Sequence, residues 1–426
     1  MLRRTRALRD PVTIYLDGDA VPAERGEPLA VALAASDYVT LARSPKLHRP
    51  RGPSCFRGGC DGCLARVDGA PNVMTCLLPA RGGERIEVQN VVGSRRADLL
   101  RVTDWFFPQG IDHHHLMAGV PGLSEVMQSF ASKVAGLGRL PAEVEAPRPA
   151  RRLDVDAAVI GAGPAGVAVA SRLAARGARV ALIDDGLAPC AALAGARPSG
   201  GAAHHPHRAA ELLAAHPLAG VEVLAEHVAA GVYLGEILTA GEAGATVLRA
   251  PAKIFATGAH DGVVAIPNND LPGLFSARAL CRLLTHGVEP TGPVVLAGDG
   301  LWADELAARL DGRLAARVPL DALVAVKGSA SVKSVVLKEG ATARTLKATI
   351  LAIAGPGAPS FEVAAQAGAS IRHDARVGYA VAADTRGRAG EGLWAVGECT
   401  GAPLDLDAIL DAARHAADDV LERRRA

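Results

Sequence analysis

The sequence predicts an α+β domain followed by a larger α/β fold, and three patterns carry that reading. Four cysteines, Cys55, Cys60, Cys63 and Cys76, are spaced C-x4-C-x2-C-x12-C within CFRGGCDGCLARVDGAPNVMTC. From residue 155 the chain reads VDAAVIGAGPAGVAVASRLAARGARVALIDDG, an apolar strand that enters a glycine turn, a helix and a second strand. Two later segments, KIFATG at 253–258 and LWAVGECT at 393–400, are further strands that end on glycine. With 426 residues, 49% of them hydrophobic, the chain is long enough for two or three domains with sizeable cores.

The first domain is expected over about 10–95. Residues 12–16 (VTIYL) alternate as a strand and turn at Asp17-Gly18-Asp19. Leu29, Val31, Leu33 and Ala34 form a helix-like apolar pattern, followed by the cysteine loop. A strand around Leu64–Val67 turns at Asp68-Gly69, and a closing strand falls near Arg85–Val91. This order is that of a ferredoxin-like β-grasp, and the cysteine spacing is the ligand spacing of a plant-type [2Fe–2S] cluster. Gly58, Gly59 and Gly62 let the backbone wrap such a group closely. The C-x2-C element can also open a zinc site, the main alternative. Paired disulfides fit less well, because the basic N-terminus MLRRTRALRD leads into no apolar run and marks no secretion. Cys190, Cys281 and Cys399 form no C-x-x-C, which argues against a redox-disulfide reductase.

Lys+Arg is 46 and Asp+Glu is 45, so no net field draws the chain to nucleic acid or an anionic membrane. The weakly charged stretch near 155–171 is broken by glycine and proline and is not a membrane span. A cytoplasmic enzyme is the expectation. Segment 96–150 reads as a linker and docking segment. Trp105, Phe106 and Phe107 cluster there in a chain only 3% aromatic, and His113, His114 and His115 follow. Three consecutive histidines cannot all face one ion in a regular element, so a polar loop at an interface is the better reading.

The dinucleotide fold is expected in two parts, 151–290 and 351–426, with a shortened NAD-like insert at 291–350. A bare G-x-G-x-x-G means little where glycine is 47 of 426 residues, but here strand and helix flank it. Gly161 makes the turn, Gly163 admits the pyrophosphate and Gly166 allows helix–strand packing, with Pro164 and Ala165 opening the helix. Asp184 is placed to accept from a ribose hydroxyl, with Asp185 as fallback. Ala256, Thr257 and Gly258 at one strand end, and Gly397 and Glu398 at another, look like the strand ends of two-dinucleotide-domain flavoproteins. In those proteins an acidic residue at the position of Glu398, usually Asp, contacts the flavin ribityl chain. The expected cofactor is FAD, with NAD at the same site as the alternative. In GPVVLAGDGLWADELAARL (292–310), Gly298 and Gly300 are kept but Ala303 takes the third position, and no second strand or acid is recognisable before the strands around 322–337.

The cysteine loop, FFPQGIDHHHLM, AGLGRLP, GAGPAG, FATGAHDGVVAIPNNDLPGLFSARAL and LWAVGECTG together resemble the α subunit of heterotetrameric sarcosine oxidase and its relatives, subunits of dye-linked proline dehydrogenase, opine oxidases and hydrogen cyanide synthase. The sarcosine oxidase subunit also carries a C-terminal aminomethyltransferase domain, for which no stretch here is long enough. The resemblance implies a partner, an amino-acid-oxidase-type flavoprotein subunit that oxidises a secondary amine or imino acid of the sarcosine, proline or opine class. The present chain would accept its electrons and pass them to an acceptor the sequence does not identify. An NAD(P)H-dependent reductase feeding its own cluster, and a scaffold subunit with a structural nucleotide fold, are the alternatives. Two departures stand out. Relatives commonly have a Gly-Gly turn soon after the second-strand acid, whereas Cys190 lies near that spot and Gly200-Gly201 is displaced. The insert is also short. No substrate-catalytic set is recognisable; His260 is a loop candidate, and His204, His205 and His207 read as solvated.

Overall fold

The computed structural model describes residues 1–44, 47–95, 97–102, 104, 146, 148–190, 193, 209–242 and 244–425. Trp105, Phe106, Phe107, the histidines at 113–115 and at 204, 205 and 207, and Gly200-Gly201 lie outside the described residues. Two compact units emerge. One comprises 1–145, 264–298 and 310–353; the other comprises 146–263, 299–309 and 354–426.

The first unit opens with a five-stranded sheet ordered Asp19–Glu24, Pro11–Leu16, Arg85–Glu87, Leu64–Val67, Ala70–Met74. Pro11–Leu16 is antiparallel to Asp19–Glu24 and parallel to Arg85–Glu87, the crossing that makes a β-grasp. Both hairpin turns have positive φ at two successive residues, Asp17 (47°) with Gly18 (90°) and Asp68 (48°) with Gly69 (86°). That geometry matches the right-handed twist of the strands and is why Asp-Gly occupies both turns. The helix Leu29–Ala35 is buried along its whole length, so it is apolar all round rather than amphipathic. The closing strand is Arg85–Glu87, shorter than the expected Arg85–Val91.

The rest of this unit is a four-stranded sheet ordered Leu274–Ser276, Ile350–Ala354, Val294–Gly298, Leu314–Val318, with a three-stranded antiparallel sheet over 323–347. Segment 264–290 therefore packs with the insert rather than with the first part of the dinucleotide fold, and the insert sheet extends past 350. Leu314–Val318 is parallel to Val294–Gly298 and is the second strand that the sequence reading missed. Its alternate residues are exposed and it contains Arg317, which removes the apolar run that marks a buried strand.

Charge ties these two parts of the unit together. Leu2–Arg4 pairs antiparallel with Val288–Pro290. Arg4 and Arg6 donate to the carbonyl of His286 at 3.1 and 3.0 Å, at the C-terminal end of the helix Ala277–Thr285. Cations there complement the helix dipole. Glu27 and Glu24 hold the same arginines at 2.6 and 2.5 Å.

The second unit is built on a six-stranded sheet ordered Val221–Leu224, Val180–Ile183, Ala157–Ile160, Ala252–Phe255, Leu393–Ala395, Arg388–Gly390, beside a four-stranded sheet of Val228–Tyr233, Glu236–Gly241, Gly244–Arg249 and Arg151–Asp154. The first five strands run parallel, and Val180–Ile183 and Ala157–Ile160 are fully buried apolar runs. The helix Pro164–Ala174 has Gly163 at its N-cap and Pro164 at N1, a position that needs no backbone N–H. Gly177, at φ 76°, lets the chain leave it. Val167, Ala170 and Leu173 pack in one core with Ile409, Ala413, Ala416 and Val420 of the helix Leu406–Arg425. Burying a side chain such as Leu173 contributes about 1.5–3 kcal/mol. Among the described residues no helix is long and apolar enough to cross a membrane.

Asp419 fastens the last helix to the sheet. Its carboxylate is fully buried and accepts from Arg388 Nε at 2.7 Å, Trp394 Nε1 at 3.0 Å and Arg386 Nη1 at 3.1 Å. The Arg388 bond, then those of Trp394 and Arg386, hold its carboxyl far below the usual carboxylate range. D419N, which leaves Arg388 and Trp394 without an anion, should destabilise this unit by about 2–4 kcal/mol in urea unfolding.

His286 supplies a pH dependence to the first unit. Burial, then the charges of Arg282, Arg6 and Arg4, pull it down to about 4 from 6.5, with Glu24 opposing. As pH falls, the unfolded chain takes the proton first, so stability is complete above about 6.5 and is lost towards pH 4. The loss should reach about 3 kcal/mol. H286Q should flatten that slope in unfolding curves measured from pH 7 to pH 4.5.

Candidate iron-sulfur and dinucleotide sites

The cysteine loop begins at Gly52, after the short strand Pro50–Arg51 that pairs with Ala42–Arg43, and joins the five-stranded sheet at Leu64. Its backbone is compressed. A Cβ on Gly62 would lie 1.9 Å from the Gly52 carbonyl oxygen, and Gly58 sits at φ 80°. Phe56 also takes positive φ (53°) and is fully buried, its ring 6.0 Å from that of Phe275. The fourth cysteine follows the hairpin and is positioned by Thr75. That hydroxyl donates to the Cys63 carbonyl at 2.8 Å, while the Thr75 carbonyl accepts from Ala30 N at the start of the buried helix.

All four cysteines are free thiols; Cys55, Cys63 and Cys76 are buried and Cys60 is half-buried. They associate in two pairs. Cys55 bonds to Cys60, which pulls Cys60 down and pushes Cys55 up. The sulfurs of Cys63 and Cys76 lie 3.4 Å apart, and the same sharing lowers Cys63 and raises Cys76. Main-chain donors surround them: Ser54 N to Cys60 at 3.4 Å, Arg57 N and Gly59 N to Cys55 at 3.5 and 3.3 Å, and Gly58 N to Cys76 at 3.2 Å. Such donors stabilise thiolate charge. Among the described residues no group of three or more His, Cys, Asp or Glu is placed to hold one metal ion. Two thiol pairs suit a binuclear cluster, two thiolates per iron, better than one tetrahedral zinc. The residues therefore fit the group that their spacing suggests. Cys60 also lines a cleft of ≈ 550 Å³ with Arg51, Asp61, Asn269 and Asp270.

In the second unit, the glycine turn and the two later strand ends meet at the carboxyl edge of the parallel sheet. A Cβ on Gly161 (φ 102°) would lie 2.2 Å from Ala256 O, and one on Gly166 would lie 1.8 Å from Gly161 O. Nothing lies within 4 Å of the corresponding point on Gly163, which leaves room at the helix N-terminus. Gly397, at φ 82°, comes within 3.4 Å of Ala165 by the same measure, bringing Glu398 beside the turn. Glu398 opens the short turn Glu398–Thr400. Thr257 donates to Ser360 O at 2.5 Å, and Ser360 N returns to Gly258 O at 3.0 Å. His260 pairs with Ala358 in a two-residue ribbon and is exposed.

Asp184 ends its strand as the spacing predicts, and its carboxylate accepts from Ala162 N at 2.5 Å and Gly186 N at 2.8 Å. It thus shapes the glycine turn. A carboxylate has about four lone-pair sites, so these bonds leave acceptor capacity for a ribose hydroxyl. Asp185 is exposed. Cys190 sits buried under the turn at φ 60°, donating its N–H to Ala162 O at 2.8 Å. Burial, reinforced by Asp184, pushes its thiol up to about 12, so it is inert at neutral pH. Ser54 and Ser360 act through their own backbone groups and Thr75 through its hydroxyl and carbonyl, and no motif in the sequence marks them. In the insert, Gly298 and Gly300 keep positive φ (104° and 89°), and the third position is filled by buried Ala303.

Comparison with known proteins agrees with this division. Residues 9–91 match a 2Fe-2S iron-sulfur cluster binding domain, and residues 155–323 match a pyridine nucleotide-disulphide oxidoreductase domain. Over 405 residues the chain is 27% identical to sarcosine oxidase subunit alpha of Rhizobium meliloti (strain 1021), a match covering 84% of this chain and 41% of that protein. The chain therefore spans about two fifths of that relative's length. In fold it is similar to L-proline dehydrogenase from P. horikoshii (TM-score 0.73, 21% identity, 99% of this chain and 76% of that one). T. acidophilum thioredoxin reductase is similar over 64% of this chain and 99% of its own (TM-score 0.53, 17% identity). The resemblance read from the motifs stands: the chain joins a [2Fe–2S] domain to an FAD-type oxidoreductase fold.

G166A places a methyl against Gly161 O and Ala256 at the core of the dinucleotide turn. It should reduce flavin retained on purification at least tenfold, while iron content stays at the wild-type value.

Proposed function

We propose that this chain is the electron-transfer subunit of a secondary amine or imino acid dehydrogenase or oxidase of the sarcosine, proline or opine class. Its partner is an amino-acid-oxidase-type flavoprotein subunit that oxidises the substrate C–N bond. The observation that carries this reading is the four-thiol site in two pairs, held in the same chain as a dinucleotide fold. Cys55, Cys60, Cys63 and Cys76 hold the cluster. Gly161, Gly163, Pro164, Ala165 and Gly166 take the pyrophosphate of FAD at the helix N-terminus, and Asp184, with Asp185 behind it, takes the ribose. Ala256, Thr257, Gly258, Gly397 and Glu398 line the flavin side.

When bound, a flavin gives or takes electrons in twos or singly and a [2Fe–2S] cluster takes one, which is what pairing them in one chain supplies. The chain's own residues do the rest. Backbone N–H groups of residues 54 and 57–59 stabilise thiolate charge. Gly163 keeps the helix N-terminus open, and Cys190, with its thiol protonated, closes the turn from beneath. Outside the cluster loop, Cys190, Cys281 and Cys399 form no C-x-x-C, which supports electron relay over disulfide reduction.

The test is anaerobic absorbance of the chain alone and of the chain co-expressed with its flavoprotein partner. Sarcosine, proline and an opine are each added. One of them should bleach both flavin and cluster bands in the co-expressed sample, and none should bleach them in the chain alone. Rapid bleaching of the chain alone by NADH would favour a reductase instead, and a chain without flavin bands would favour a scaffold.

A further inference from the structure

The cluster site has a cation that its own domain does not supply. The helix Ala277–Thr285, from the insert, starts against the cysteine loop. Ser276 N donates at 2.9 Å to the carbonyl of Ser54, the residue before Cys55, and the Ser276 side chain caps the helix by accepting from Ala279 N at 3.0 Å. Phe275, one residue earlier, packs on Phe56 within that loop. The start of the helix is thereby pinned, and Arg282 follows on it. Arg282 Nε is shielded from solvent and has no hydrogen-bond partner among the described residues. A shielded guanidinium nitrogen without a partner costs stability unless its charge faces an opposite one.

The charges around Arg282 supply that opposite sign. Burial lowers it most; Cys76 then attracts it, Arg57 repels it and Cys55 attracts it. Cys55 and Cys76 belong to different thiol pairs, so the guanidinium acts on both halves of the site. His286, one turn on, is held neutral and adds no competing charge near pH 7. Arg4 and Arg6 are engaged by Glu27 and Glu24.

We propose that Arg282 sets the reduction potential of the iron–sulfur site, stabilising its reduced form from the inserted domain. Reduction adds one electron and hence one negative charge to a site of four thiolates. A fixed, desolvated positive charge nearby favours that state, and the low local dielectric magnifies the effect. The inference rests on the cluster reading given above.

The experiment is an EPR-monitored redox titration of the full-length holoprotein, comparing wild type with R282Q and R282K. R282Q should lower the equilibrium constant for reduction about tenfold, a shift of ~59 mV to more negative potential for a one-electron couple. R282K, which keeps the charge, should recover most of that shift. An R282Q protein that holds iron at the wild-type potential overturns the proposal. If R282Q loses the cluster, R282K decides: iron retained near the wild-type potential supports a need for charge, and loss in both variants marks Arg282 as a packing residue and overturns it. Zinc in the wild-type protein would end the cluster reading itself, an outcome separate from an unmoved potential in R282Q.

Discussion

Bringing four thiol sulfurs together is the constraint from which the first unit follows. Thiolates repel one another and are poorly tolerated away from water, so a fold that gathers them must supply donors and positive charge. The cysteine loop does so by turning its own N–H groups inward at residues 54, 57, 58 and 59. That inward turn requires positive φ at Phe56 and Gly58, and at Gly62 a backbone so close to Gly52 that no Cβ fits. The cost of this compression is met by burial, since Phe56 and the helix Leu29–Ala35 lose essentially all solvent contact.

A different constraint shapes the second unit, which has to keep space open. Gly161 and Gly166 pack so tightly that strand and helix touch, and this leaves Gly163 clear at the helix N-terminus. Asp184 and Cys190 brace the turn through the N–H and carbonyl of Ala162. Asp419 anchors the last helix to Trp394 and Arg388, fixing the strand that leads to Gly397 and Glu398. Asp184, Cys190 and Asp419 each lie far along the sequence from the motif they support.

Much of this was legible in the sequence, for identifiable physical reasons. Cysteine spacing, the Asp-Gly turns at 17–18 and 68–69 and the GAGPAG turn are local signals, because the chemistry that demands them acts within a few residues. The pairing of the four cysteines, and the meeting of Gly397 with Ala165, needed the fold. The strand Leu314–Val318 escaped notice because one face is solvated and an arginine interrupts it. The insert was expected to begin at 291, yet the chain joins it from 264, because the strand Leu274–Ser276 finds its partner at Leu351–Ile353, far along the sequence. Arg282 and Asp419 carry no motif, and their importance lies entirely in what distant residues place beside them.

The central claim is that two thiol pairs, Cys55 with Cys60 and Cys63 with Cys76, hold one binuclear iron–sulfur cluster. The most direct measurement is EPR of the anaerobically purified, dithionite-reduced chain, with metal and acid-labile sulfide quantified in the same sample. The account predicts about two irons and two sulfides per chain and a signal integrating to about one unpaired electron. An EPR-silent protein with a single zinc bound by the same cysteines would contradict it.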